Sequence, residues 1–126
     1  MASMKKFVAG LLSLSLLVCL TVQAQTPETI KIGVFLSLTG ATASYGVSAL
    51  NAIKLATEET NRAGGINGKQ IELVVEDDHS NTQDVPGIVT RLIKDAKVHA
   101  LIAEPVSTRA MAAAPIAQAN RVVMIS

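Results

Sequence analysis

The chain alternates between short runs of apolar, β-branched residues and longer stretches in which apolar residues recur at helical spacing. Thr29–Leu38 is the first such run after the amino-terminal region and predicts a buried strand. A helix is predicted after it from the spacing of Val47, Leu50, Ile53 and Ala56. The pair Gly64-Gly65 is expected to end this helix, because glycine readily adopts the left-handed conformation found at helix C-termini.

The same alternation continues to the last residue. Asn67-Gly68 predicts a tight turn before a second strand, Lys69–Glu76. A second helix is predicted over Thr82–Lys97, regular only from near Val85 because Pro86 lacks a backbone donor. The remaining predicted elements are a strand at Val98–Ala103, an alanine-rich helix from Ser107 or Thr108 to about Asn120, and a fourth strand at Arg121–Ser126.

Strands that alternate with helices at this spacing predict an α/β fold. A parallel sheet carries helices on both faces, as in flavodoxin-like and Rossmann-like proteins. Parallel strands are buried on both sides, which accounts for their continuous apolar runs. Nothing in the sequence follows the fourth strand to cover it, and we therefore expect the chain to be part of a longer protein.

Residues 1–24 have the order of a secretory signal peptide. Lys5-Lys6 precedes an apolar run of about 14 residues, shorter than the roughly 20 needed to cross a membrane, and the small Ala24 precedes the expected cleavage site. The alternatives are an uncleaved anchor helix and a lipoprotein cut before Cys19, which the branched Val18 disfavours. Cys19 is the only cysteine, so the mature chain has no disulfide, which fits a bacterial periplasm.

Composition and charge narrow the classes of function. The chain of 126 residues has a formal net charge of +1, and Lys5-Lys6 supplies two of its positive charges. The rest of the chain therefore has a net charge of −1, and no basic face for nucleic acid is predicted. Only 2% of the residues are aromatic, so no stacking platform for nucleic acid bases is predicted either. His79 and His99 have no other metal-ligating residues at a suitable spacing, and we expect neither a metal nor a cofactor.

Ligands of a doubly wound sheet bind beyond the carboxyl ends of the strands. The first of these loops lacks the close glycine pair of a dinucleotide cradle, and the chain has no P-loop and no G-x-S-x-G nucleophile elbow. An enzyme is therefore not predicted. Asp77-Asp78 resembles the paired carboxylates that hold Mg²⁺ in receiver domains, although an exported protein has no phosphorelay. The alternative is a pair of turn acids that cap the next helix or face solvent.

Ser107 and Thr108 follow the third predicted strand and open a helix. The N–H groups and the positive dipole end there suit a carboxylate, to which the two hydroxyls add donors; the alternative is a plain N-cap. Tyr45 lies in the predicted loop after the first strand. There it either stands on the surface or covers a small ligand.

Three segments resemble the type I periplasmic binding proteins, and among them the leucine and branched-chain amino acid receptors of ABC importers. They are Ile30–Val34 with Leu38–Gly40 and Tyr45-Gly46, Asn61–Lys69, and Ile71–Asp78. The resemblance implies a periplasmic receptor with two lobes, of which residues 25–126 form an incomplete N-terminal part. Such a receptor binds a small molecule, such as an amino acid, between its lobes and delivers it to a membrane ABC permease.

The resemblance also implies roles for single residues. Ser107, with Thr108 beside it, would bind the carboxylate of the ligand, and Tyr45 would pack on the ligand. Glu104 departs from this picture, because it places a carboxylate where it would repel an amino acid or bind a cation on the ligand. Family members also take amides, urea and aromatic acids. The alternative functions are a ligand-sensing domain of a receptor or regulator, and an exported α/β enzyme whose catalytic residues lie elsewhere.

Overall fold

The computed structural model describes residues 28–126, so the predicted signal peptide with its Cys19 lies outside the described residues. The described elements are β1 (Ile30–Leu36), α1 (Ala43–Arg62), β2 (Ile71–Asp77), α2 (Val85–Lys94), β3 (Ala100–Ile102), α3 (Ser107–Ala119) and β4 (Val123–Ile125). Their order confirms the predicted alternation. No helix in this part of the chain has the length and apolar character needed to span a membrane.

The four strands form one parallel sheet in the order β2-β1-β3-β4. β1 is central, and its Ile32 lies opposite Leu73 of β2 on one side and Ala100 of β3 on the other. The direction of the strand order reverses between β1 and β3. In doubly wound sheets such a reversal opens a crevice at the carboxyl ends of the strands.

Helices cover both faces of this sheet, as predicted. Successive side chains of a strand point to opposite faces. Phe35 of β1 and Leu101 of β3 are buried in a core shared with α2 and α3, whereas Ile32 lines a groove against α1 on the other face. Burial of each large apolar side chain in this core contributes about 1.5–3 kcal/mol. The outer strand β4 keeps Val123 and Ile125 exposed.

Two glycines fit α1 to the chain segments before and after it. Gly46 is buried in its first turns, and a β-carbon there would lie 2.6 Å from the carbonyl carbon of Ser37 and overlap its oxygen. Only glycine lets the helix approach the end of β1 so closely. Gly65, with φ of +77°, donates its amide to the carbonyl of Thr60 at 2.9 Å and turns the chain out of the helix, as predicted.

The second helix is shorter than predicted. α2 begins at the expected Val85, with Pro86 in its first turn, but it ends at Lys94 rather than Lys97. Lys97 has φ of +57°, and the amide of Val98 returns to the carbonyl of Leu92 at 3.2 Å. This left-handed turn ends the helix and directs the chain into β3.

Candidate functional site

The loops after β1, β2 and β3 meet at the carboxyl edge of the sheet, and Asp77 joins the first two. Its Oδ1 accepts the amides of Leu38 at 2.9 Å and Thr39 at 3.2 Å, and its Oδ2 accepts the Thr39 hydroxyl at 2.7 Å. Burial acts to raise the pKa of Asp77. Hydrogen bonds from the Thr39 hydroxyl and from the amides of His79, Leu38 and Thr39 outweigh it and hold this pKa below its ordinary value.

Asp78 is fully buried beside it. Its Oδ1 accepts the Ser37 hydroxyl at 2.7 Å and the Ser80 amide at 2.9 Å. Both acids are turn acids, as one alternative predicted, because Oδ1 of each accepts the amide two residues on. Neither caps α2, which begins after Asp84 without a side-chain cap, and Asp78 does not face solvent because it is fully buried. Among residues 28–126, no three His, Cys, Asp or Glu side chains are grouped so that they could hold a metal.

Glu104 also points into the protein. It is fully buried after β3, where Oε2 accepts the Ser37 amide at 2.6 Å and Oε1 lies 3.0 Å from Nη2 of Arg109. The expectation that Glu104 faces the ligand is wrong, because its charge is paired with a guanidinium inside the fold. It therefore neither repels an anion at the edge directly nor offers a cation site there.

Arg109 is the centre of this buried cluster. Its side chain is 7% exposed, and its Nε lies 3.5 Å from Oδ2 of Asp78. Nη2 donates to the Thr42 hydroxyl at 2.7 Å, and Nη1 donates to the Ser80 carbonyl at 3.3 Å. One guanidinium therefore bonds to the loops after all three strands, and with Asp78 and Glu104 it forms a buried cluster with net charge −1.

Arg109 is not among the site residues predicted from the sequence. The signal in the sequence that indicates it is electrostatic, since Arg109 lies in the first turn of α3, where the helix dipole disfavours a cation. A basic residue at such a position indicates a carboxylate partner close by. Glu104, five residues earlier, is that partner.

Ser107 and Thr108 are the first two residues of α3, and both are exposed. Val106 is the N-cap, with φ of −82° and ψ of 115°, and the start of α3 has no side-chain cap within the described residues. The alternative that either hydroxyl caps this helix is therefore wrong. Neither side chain makes a hydrogen bond to another described residue, so both hydroxyls face solvent beside the amide groups of the first turn.

Tyr45 is the third residue of α1. The prediction that it lies in a loop is therefore wrong. Tyr45 is 68% exposed. Thr42, directly before α1, hydrogen-bonds to Arg109 in the first turn of α3. This bond joins the starts of the two helices, so Tyr45, Ser107 and Thr108 all lie at the carboxyl edge.

The two histidines have different surroundings. The side chain of His79 is 62% exposed, with ring nitrogens 3.5 Å from Asp84 and 3.7 Å from Asp77. His99 accepts the Lys31 amide at its Nδ1 at 3.1 Å and so helps to join β3 to β1. Both agree with the prediction of surface or structural histidines.

The strand order reverses at an edge that carries an exposed helix start with buried charges beneath it, and doubly wound sheets bind their ligands at such an edge. The family described as periplasmic binding protein matches residues 29–126. The chain belongs to this family. Its membership confirms the resemblance that the sequence motifs indicated.

Similarity to individual known proteins supports membership of the same family. The chain is 33% identical over 100 residues to an amino acid binding protein of Pseudomonas aeruginosa, covering 79% of this chain and 27% of that protein. It resembles the structure of the branched-chain amino acid transporter substrate-binding protein LivJ from Streptococcus pneumoniae, in complex with isoleucine, with 38% identity and a TM-score of 0.77. That match covers 79% of this chain and 28% of LivJ.

A third relative holds a different ligand. A solute-binding protein of an ABC transporter from Rhodopseudomonas palustris BisB5, in complex with 3,4-dihydroxybenzoic acid, is 31% identical with a TM-score of 0.70. The match covers 76% of this chain and 26% of that protein. The chain thus spans about a quarter of the length of each of these relatives.

Proposed function

We propose that this chain is the N-terminal part of the ligand-binding lobe in a periplasmic receptor of an ABC importer. Residues 1–24 direct export, and residues 25–126 contribute one wall of a cleft between two lobes. The ligand is an amino acid with a branched or similar apolar side chain. Closure of the cleft presents the loaded receptor to the membrane permease, and no covalent chemistry takes place.

The start of α3 is the observation that carries this proposal. Ser107 and Thr108 present two exposed hydroxyls where a helix N-terminus meets the switch point of the sheet. Glu104 and Asp78, the nearest buried acids of this edge, are paired with Arg109. The surface that remains offers neutral donors and a positive dipole end, which together suit a carboxylate.

The ligands of the relatives support a carboxylate as the common feature. Isoleucine and 3,4-dihydroxybenzoic acid differ in ring, amine and hydroxyl groups, but both carry one carboxylate. In this chain Ser107 would receive that group, with Thr108 beside it. Tyr45, exposed at the same edge, would pack its ring on the ligand when the cleft closes.

A thermal-shift panel on the complete exported protein tests the proposal. Leucine, isoleucine, valine, threonine, alanine, benzoate and a carboxylate-free alcohol are added in turn, because a ligand that binds only the folded state raises its melting temperature. We expect one amino acid or closely similar acid to stabilise the protein and to be recovered unchanged. The absence of stabilisation by any acid, or conversion of the solute, would contradict a receptor function.

A further inference from the structure

We propose that Arg109 is a positioning residue, which fixes the ligand-facing start of α3 against the loops after β1 and β2 and balances the buried charges beneath it. This inference rests on the proposed function, because it assigns Arg109 a role in the affinity of that same site. It concerns a side chain that is itself buried and does not face the cleft.

Arg109 and the two exposed hydroxyls belong to one rigid helical turn. Arg109 follows Ser107 and Thr108 in the first turn of α3, and the amides of Arg109 and Ala110 both donate to the carbonyl of Val106. The backbone of this turn therefore moves as a unit. An anchor on the Arg109 guanidinium fixes where the two exposed hydroxyls stand.

Three residues from different loops anchor the Arg109 guanidinium. Glu104 comes from the end of β3, Asp78 from the end of β2, and Thr42 from the residue before α1. Thr42 is also joined to Ser80, whose hydroxyl lies 3.0 Å from its own. The guanidinium thus sets the spacing between the start of α3 and the start of α1, which carries Tyr45. Precise spacing of this kind reduces the ordering that a ligand must impose when it binds.

Arg109 also compensates part of the buried negative charge beneath the start of α3. Without Arg109, the carboxylates of Asp78 and Glu104 would be left unpaired inside the fold, directly below the surface that receives an anion. A net charge of −2 there opposes a bound carboxylate through a medium that screens poorly. Arg109 therefore acts on the ligand in two ways, by position and by charge balance.

Four variants of the complete protein separate these effects. Arg109→Lys keeps the charge but loses the planar fork, and Thr42→Val removes one hydrogen bond while leaving the ion pairs intact. Arg109→Met removes the charge, and Arg109→Met with Glu104→Gln returns the cluster to a net charge of −1. Arg91→Lys is the matched control, because Arg91 pairs with Glu76 at 3.2 Å on the exposed side of α2.

Affinity is measured by calorimetry with L-isoleucine, L-leucine and 3,4-dihydroxybenzoate, at a temperature where each variant is shown by circular dichroism to be folded. We expect Kd to rise about tenfold for Arg109→Lys, which is roughly the loss of one charge-assisted hydrogen bond, and about threefold for Thr42→Val. Arg109→Met should bind least, and the added Glu104→Gln should recover part of the affinity. Arg91→Lys should leave Kd unchanged.

The outcomes distinguish this inference from the proposed function. If the unaltered protein binds none of the three acids, the proposed function fails. If it binds one of them and the folded Arg109→Lys and Thr42→Val variants have its Kd, Arg109 is structural only and the positioning role is overturned. If Glu104→Gln recovers no affinity in the Arg109→Met background, the charge-balancing role is overturned.

Discussion

The Nη2 nitrogen of Arg109 lies 3.0 Å from Oε1 of Glu104, inside the fold, although both residues lie at the start of α3, which has exposed hydroxyls at its first two positions. The pairing turns an acidic side chain away from the surface and places its charge against a cation. The exposed surface at the start of α3 therefore carries the neutral hydroxyls of Ser107 and Thr108 and not the carboxylate of Glu104. This arrangement makes the buried Glu104 compatible with the carboxylate that Ser107 is proposed to bind.

Removal of the Ser107 hydroxyl is predicted to weaken binding. Ser107→Ala should cost about 1–2 kcal/mol of binding free energy, because one hydrogen bond to a charged group is lost, and Thr108→Ala should cost less. Calorimetric titration of the complete protein measures this difference. Ser48→Ala, at an exposed position further along α1, is the control and should not change Kd. An unchanged Kd for Ser107→Ala would remove Ser107 from the site.

The ring of Tyr45 is predicted to contribute to binding but not to folding. Tyr45→Ala should weaken binding about tenfold, since it removes the apolar surface that is proposed to pack on the ligand, whereas Tyr45→Phe should retain most of the affinity. Tyr45 is 68% exposed, so the unliganded melting temperature should stay the same in both variants. Equal affinity of Tyr45→Ala and the unaltered protein would show that the tyrosine is only a surface residue.

Gly46 is predicted to be intolerant of any side chain. A β-carbon there meets the backbone of Ser37, which lies at the end of β1 and cannot yield without moving the strand. Gly46→Ala should reduce the free energy of unfolding by about 1–3 kcal/mol or more. Urea unfolding measures the loss.

Gly87→Ala is the matched control for Gly46→Ala. Its added β-carbon lies 3.7 Å from the Arg91 guanidinium, an ordinary contact, and alanine favours the helix by about 1 kcal/mol over glycine. We therefore expect Gly87→Ala to be neutral or stabilising. A similar loss in both variants would contradict the close contact of α1 with Ser37.

The stability that Asp77 contributes is predicted to vanish in acid. Because its pKa is lower in the folded protein than in the unfolded chain, the ionised form stabilises the fold above the unfolded pKa of about 4. That contribution is lost as the pH falls through the lower, folded pKa. Asp77→Asn should therefore destabilise the protein at neutral pH, and the difference from the unaltered protein should shrink progressively below about pH 4. Urea unfolding at several pH values tests this, and a difference that is constant with pH would contradict the assigned hydrogen bonds.

The elements of this fold could be predicted because their signals are local. The apolar spacing of α1 and the Gly64-Gly65 pair that ends it lie within a few turns of each other, and the parallel sheet follows from the alternation of strands and helices. The start of α1 could not be predicted from the apolar pattern, because that pattern begins at Val47 whereas the helix begins four residues earlier, at Ala43. Tyr45 was therefore assigned to a loop.

The charge cluster could not be predicted in the same way. Arg109 is separated from Thr42 by 67 residues, and their contact depends on the order in which the strands assemble. The pairing of Glu104 with Arg109 is local, but the orientation of the Glu104 side chain also depends on the buried Ser37 amide, which lies directly after β1. The position of Ser107 and Thr108 at the start of a helix could be predicted, because a hydroxyl pair that opens a helix after a strand needs no long-range information.

Carboxylate binding at the start of α3 is tested most directly by titrating the complete exported protein with the amino acid that stabilises it most, and then with the amide of that amino acid. The amide keeps the side chain and the amine but lacks the carboxylate that the start of α3 is proposed to bind. Binding of the acid with one site per receptor, and at least about tenfold weaker binding of the amide, is the predicted result. Equal affinity for both, or no binding of either, would contradict a carboxylate receptor built on Ser107.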